Sequence, residues 1–173
     1  MPSLLELEVR PRMLESTSKV VSDAIERWKN RPAVRTSPEL AAEVNFLCDA
    51  FEEHRAAVRV LLRVGLTAMF NGAAFDSEGV GNLLLTQTRE GVRRVREAAD
   101  SVAEVKARSE DWGDATRAAE ARLARTLTEA VALGQVVRES WPHFDPDVAA
   151  QAREEINAGS GVAIEELIAE FRG

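Results

Sequence analysis

Apolar side chains recur along most of the chain at alternating steps of three and four, the period of one helix face packed against its neighbours. The clearest run is Leu40, Val44, Leu47, Phe51, His54, Val58, Leu61 and Gly65. That heptad register is the one that packs at roughly +20° in helical bundles. Ser37-Pro38-Glu39 opens the helix, with Ser as N-cap and Pro at the first helical position. Asn71-Gly72 is the stop signal. The pattern predicts a helix of about 33 residues, roughly 50 Å long at 1.5 Å per residue.

Three further helices follow from the same reasoning. Leu14, Val21, Ile25 and Trp28 mark a first helix that begins at Pro11 and stops before Pro32. The preceding Leu4-Leu5-Glu6-Leu7-Glu8-Val9 alternates partly like a strand and is read as a helical lead-in. Asp76 or Ser77 caps a third long helix whose seam is Leu84, Thr88, Gly91, Val95, Ala98, Val102, Val105, Ser109 and Trp112. Its smaller residues permit a close approach of the neighbouring helix. Trp112-Gly113-Asp114 marks a turn or kink. A fourth helix then carries Ala119, Leu123, Leu127, Ala130, Leu133, Val137 and Trp141 on one side and ends at Pro142. Long helices of matched length joined by short connections fold back antiparallel. The expected fold is therefore all-α: an up-down antiparallel bundle of about four long helices over residues 1–142. A shorter C-terminal helical pair over 143–173 is hinged at Gly159-Ser160-Gly161.

Composition narrows the class. The chain has 173 residues, 45% hydrophobic and 29% charged, which fits one globular domain with an appendage and needs no disulfide or metal to build a core. A formal net charge of −7 argues against a general nucleic-acid binder, whose surface has to be basic. The single cysteine, Cys48, excludes an internal disulfide framework and fits a reducing compartment. Residues 1–9 carry two Glu and no basic region ahead of an apolar one, so no signal peptide is read there. The apolar window Val58–Phe75 is broken by Arg59, Arg63 and Asn71, so no membrane span is expected. A cytoplasmic location is the expectation.

Candidate chemistry is sparse. His54 lies on the apolar seam and invites a reading as metal ligand or oriented base. Its own helix supplies no partner: Ala50, Phe51, Ala57 and Val58 flank it one turn away. Asp49 points about 140° away from it. Phe51 stands where the di-iron bundle motif needs a Glu. A core histidine bonded inside the bundle is the preferred reading, and no metal or other cofactor is expected. Glu39, Glu43, Asp49, Glu52 and Glu53 would need matching acids to hold magnesium, and Glu104, Glu110, Asp111 and Asp114 are the candidates. Arg55, Arg59 and Arg63, and the stripe Arg89, Arg93 and Arg96, have the spacing to grip phosphates or an acidic partner. Interleaved Glu52, Glu90 and Glu97 favour ion-pair lacing of the helix surface instead. Cys48 reads as a small core residue. Gly79-Val80-Gly81-Asn82 follows a cap rather than a strand, so it is no phosphate loop. No catalytic residues are assigned.

From Val58 to Phe70 the second helix is apolar nearly all round: Val60, Leu62, Val64, Leu66, Met69 and Phe70 add to the seam. A helix of this kind must be covered on every side, by its own bundle or by another subunit. Membership of a homo-oligomer or larger complex is expected.

The stretch Ala152-Arg153-Glu154-Glu155-Ile156-Asn157-Ala158-Gly159-Ser160-Gly161-Val162-Ala163-Ile164-Glu165-Glu166-Leu167-Ile168-Ala169-Glu170-Phe171-Arg172 resembles the toxin-binding tail of bacterial type II antitoxins. Such tails join a helix to a Gly-containing hinge, an apolar residue, a Glu-Glu pair and a short helix, and they wrap a small toxin. The resemblance implies that Ile156, Val162, Ile164, Leu167, Ile168 and Phe171 are anchors and that Glu165 and Glu166 face basic residues of the partner. Residues 1–140 show no ribbon–helix–helix or comparable module, so operator binding is not part of that implication.

The sequence thus leads to a non-enzymatic helical interaction or assembly subunit whose C-terminal amphipathic segment engages a protein partner. Recognition would be of the helix-in-groove kind. Two alternatives stand beside it. One is an all-α metal-dependent hydrolase of a nucleotide or other phosphorylated small molecule, and the other is a helical RNA-binding subunit of a ribonucleoprotein complex.

Overall fold

The computed structural model describes residues 37–70, 77–109 and 112–140, together with single positions between 14 and 30 and at 143 and 147. Residues 14, 16, 19, 20, 22, 23 and 25–27 are also helical and are referred to together as α1. Three long helices follow: α2 (Ser37–Phe70, 34 residues), α3 (Ser77–Arg108, 32 residues) and α4 (Asp114–Ser140, 27 residues). Among the described residues the structure is all-α, with three long helices packed together. The C-terminal pair, the lead-in Leu4–Val9, the stop Asn71-Gly72 and the side chains of Val21, Trp28, Met69, Phe70 and Trp141 lie outside the described residues.

The helix ends obey local chemistry. Glu39, Glu78 and Asp114 occupy first turns, where the partial positive charge of the helix dipole favours an acid. Lys106 and Arg108 close α3, and Arg138 closes α4, as the opposite pole favours. Gly113 begins α4 by offering its carbonyl to the amides of Thr116 (3.1 Å) and Arg117 (3.0 Å). The α3 seam ends earlier than its pattern suggested. Val105 is half-buried, Ser109 is exposed, and Trp112 lies beyond the helix, folded back so that its Nε1 donates to Glu120 of α4 at 3.2 Å.

The order is up-down-up. α4 packs against both α2 and α3, which touch one another less. Ion pairs show that α2 and α4 run parallel. Arg122 donates to the Asn45 carbonyl (3.3 Å), to Asn45 Oδ1 (3.0 Å) and to Asp49. About two turns further along both helices, Arg55 meets Glu129 at 3.0 Å. α3 runs antiparallel to both, with Lys106 on Glu120 of α4 at 2.8 Å.

The core divides into two apolar clusters. One holds Ile25 of α1, Val44, Leu47 and Phe51 of α2, Val95, Ala98 and Val102 of α3, and Ala119, Leu123 and Ala130 of α4. The other holds Leu14, Val58, Leu61, Leu62, Leu84, Leu85, Leu133, Val136 and Val137. Fully buried Leu side chains of this kind stabilise the fold by about 1.5–3 kcal/mol each. Since Leu14 joins the cluster around residue 60 and Ile25 the cluster around residue 47, α1 runs antiparallel to α2. At the level between the clusters lie His54 of α2 and Thr88 and Gly91 of α3, all buried.

The stretch covered on every side is in α4. Ala130 and every residue from Ala132 to Val137 are buried, with Val131 half-buried. In α2, by contrast, Val58, Leu61, Leu62 and Gly65 are buried while Val60, Val64 and Leu66 are only half-buried and Arg63 is exposed. The earlier part of α4 exposes Ala118, Ala121, Arg125 and Thr128 on the side where Ala132, Gln135 and Val136 are covered.

Candidate functional site: the groove between α3 and α4

Leu85, Thr88 and Val92 follow one another on α3 at steps of three and four, a stripe that shares Thr88 with the main seam and places Leu85 and Val92 to one side of it. Val131 and Gly134 of α4 face that stripe, and the two walls leave a groove of about 300 Å³. This volume is at the lower end of the range for ligand clefts. Arg89, Arg93 and Arg96 line its edge, followed by Glu97 and Asp100 toward the C-terminal end of α3. The groove is therefore apolar in the middle, cationic along one side and acidic at one end. At its base, Thr88 is 3% exposed and its Oγ1 has no hydrogen-bond partner among the described residues.

The arginines differ in what they do. Arg93 holds Glu90 through two bonds, Nε at 2.9 Å and Nη2 at 2.6 Å, and also reaches Glu97. Arg94 adds a further bond to Glu90. These guanidinium bonds, Arg93 first, pull the Glu90 carboxyl down to about 2 and push Arg93 up. Arg96, one turn on, is exposed and makes no hydrogen bond or ion pair among the described residues. Arg89 also lines a second, shallower and more polar depression of about 540 Å³, bounded by Lys19, Ser22 and Asp23 of α1 and by Thr86, Gln87, Glu90 and Arg94 of α3.

His54 is a structural residue in this setting. It is 1% exposed, and its Nε2 lies 3.3 Å from the Gln87 carbonyl oxygen. A carbonyl only accepts, so Nε2 carries the proton and donates. Burial lowers the imidazole to about 4, against a partial offset from that bond, and the ring is neutral at pH 7. Its ring centroid lies 6.3 Å from that of Phe51. Cys48 is likewise buried, and the loss of solvation raises its thiol despite a bond with Thr126.

The acids of α2 do not converge. Asp49 is taken by Arg122 and Glu52 lies 3.7 Å from Arg55, while Glu39 and Glu53 are exposed. Glu104 lies 3.8 Å from Arg108 and Asp114 is 3.0 Å from Arg117; Glu110 and Asp111 are outside the described residues. Among the described residues no group of three or more His, Cys, Asp or Glu could hold a metal ion, and no helix is long and apolar enough to cross a membrane. The sequence-derived anchors Ile156, Val162, Ile164, Leu167, Ile168 and Phe171 lie outside the described residues.

The groove itself escaped the sequence pattern. Leu85 and Val92 each follow a seam residue directly and lie outside the seam pattern, while Gly134 carries no hydropathy to mark a facing wall. The detectable signal was the coincidence of that offset apolar pair with the Arg89, Arg93 and Arg96 stripe beside it. Compared with known protein families, with curated proteins and with solved structures, the chain finds no match in any of the three.

Proposed function

We propose that this protein is a non-enzymatic interaction or assembly subunit: a helical scaffold that engages a partner chain through helix-in-groove contacts and its amphipathic C-terminal segment. The observation that carries this reading is the α3/α4 groove. Its walls are two rigid helices, its floor is apolar and its rim is charged, which is the chemistry that receives an amphipathic helix. The side chains best equipped for chemistry are spent on structure: His54 on the Gln87 carbonyl, Asp49 on Arg122, Cys48 in the core. On the chain's own side of the contact, the anchors are Ile156, Val162, Ile164, Leu167, Ile168 and Phe171. Their resemblance to antitoxin tails makes a small basic protein the partner class to seek first.

The test is affinity capture from the native host with the full chain as bait, compared with the full chain carrying Leu167→Asp and Phe171→Asp. A partner held by the first and lost by the second supports the reading once the purified pair binds directly. Equal recovery with both baits contradicts it.

A further inference from the structure

The charges that line the groove are not equally committed. Arg93 is spent on Glu90 and Glu97, and Arg89 has an interaction of its own. Arg96 and Asp100 stand one turn apart on α3, both exposed, and neither makes a hydrogen bond or ion pair among the described residues. They do not pair with each other, and a base ahead of an acid is the weaker order along a helix. The edge of the groove therefore carries an uncommitted cation followed, one turn later, by an uncommitted anion.

Two opposite charges in this arrangement are complementary to themselves. When α3 of a second copy lies antiparallel across the groove, a two-fold axis passes between positions 96 and 100. Each Arg96 then faces the second copy's Asp100. An interface of this symmetry makes every contact twice.

The same axis fixes what packs beside the charges. Val92 stands about 9 Å before it in helical rise, and Ala103 and Ala107 stand about 7.5 Å and 13.5 Å after it. Val92 of one copy thus falls between Ala103 and Ala107 of the other. Both alanines are exposed, and they continue the stripe of Arg96 and Asp100 at steps of three and four. A ridge of small side chains then meets the floor made by Val92 and Val131. A foreign helix has to reproduce the charge order and the small ridge together, whereas a second copy supplies both by symmetry.

We propose that the α3/α4 groove receives α3 of a second copy, in an antiparallel two-fold pair held in register by Arg96 and Asp100. This rests on the reading of the groove as a helix-receiving surface and names its occupant: the chain in the groove is the protein itself.

The experiment is sedimentation of the full chain over a concentration series, with Arg96→Asp and Asp100→Arg as variants. Both positions are exposed, and circular dichroism checks that each variant keeps its helices. The wild type is a reversible dimer. Arg96→Asp sets acid against acid twice and Asp100→Arg sets base against base twice, so each alone weakens association about tenfold or more. An equimolar mixture of the two variants dimerises again near the wild-type affinity, because each copy supplies the charge that the other lacks. The double variant, with the charges exchanged, also dimerises. A monomeric wild type overturns the proposal. So do single variants that associate as the wild type does, which moves the second copy to another face, and a mixture that stays monomeric. If the wild type is monomeric and partner capture still depends on Leu167 and Phe171, the dimer fails while the interaction reading stands. A dimer that obeys the charge exchange, with capture indifferent to those two residues, sustains the groove and fails the C-terminal anchors.

Discussion

Gly91 of α3 lies directly against the imidazole of His54 in α2. A Cβ placed at position 91 would stand 3.2 Å from His54 Nε2, 3.3 Å from Cδ2 and 3.5 Å from Phe51 Cε2. His54 has nowhere to yield, since it is buried and tied to the Gln87 carbonyl on the same helix as Gly91. The missing Cβ sets the distance between α2 and α3 at the level between the two core clusters.

Gly91→Ala weighs two effects of opposite sign. Helix propensity favours Ala by about 1 kcal/mol, and overpacking a tight contact costs about 1–3 kcal/mol. Because the neighbour is a fixed ring rather than a flexible chain end, overpacking wins, and urea denaturation reports a net loss of roughly 1 kcal/mol. In a His54→Ala background the clash is gone, and Gly91→Ala becomes stabilising. The same sign in both backgrounds contradicts this contact.

His54 also makes stability depend on pH. Its folded pKa, lowered by burial to about 4, lies below the ordinary 6.5. Between those values the unfolded chain binds a proton that the folded chain does not, so stability falls as pH drops from 6.5 toward 4 and levels off below. The full span is about 3 kcal/mol, at 1.36 kcal/mol per pH unit. His54→Gln removes this part of the pH profile, which chemical denaturation at pH 7 and pH 5 measures. Glu90 acts in a separate window: its carboxyl, lowered from 4.5 to about 2, weakens the fold only as pH falls from 4.5 toward 2.

Arg122 fastens α4 to α2 through Asn45 and Asp49, whereas Arg117 pairs with Asp114 at the exposed start of α4. Arg122→Ala costs about 1 kcal/mol, because three bonds between two helices are lost, one to a backbone carbonyl. Arg117→Ala costs less than about 0.5 kcal/mol, as exposed pairs do. Equal costs for the two would contradict the clamp.

Cys48 should be silent toward thiol reagents in the folded protein. It is buried, and burial raises its thiol above the ordinary 9.0. Only the thiolate attacks, so modification by a disulfide reagent at pH 8 is slow in buffer and rises by orders of magnitude in denaturing urea. Rapid labelling in buffer would place Cys48 outside the core.

The main seams were legible because their information is local and apolar. Val44, Leu47, Phe51, Val58 and Leu61 declare one face of α2, and Leu123, Ala130, Leu133 and Val137 declare one face of α4. Ser77 and Gly113 announced the turns where α3 and α4 begin. His54 was read as a core histidine from the absence of a partner on its own helix, and the structure adds the Gln87 carbonyl from α3. What remained hidden depends on neighbours. The all-round burial of Ala132, Gly134 and Gln135 has no hydropathy signature, and Trp112 reaches Glu120 only because the α3–α4 connection reverses the chain. The groove required knowing which side of α3 faces Val131 and Gly134.

The most direct test of the interaction reading is calorimetric titration of the purified full chain with the partner recovered from the host. The chain carrying Leu167→Asp and Phe171→Asp is run alongside, with its melting curve recorded. The account predicts a stoichiometric complex weakened about a hundredfold or more by the paired substitution, roughly 2.7 kcal/mol of binding energy, with folding unchanged. Undiminished affinity in the variant would contradict it and move the binding element away from the C-terminal segment.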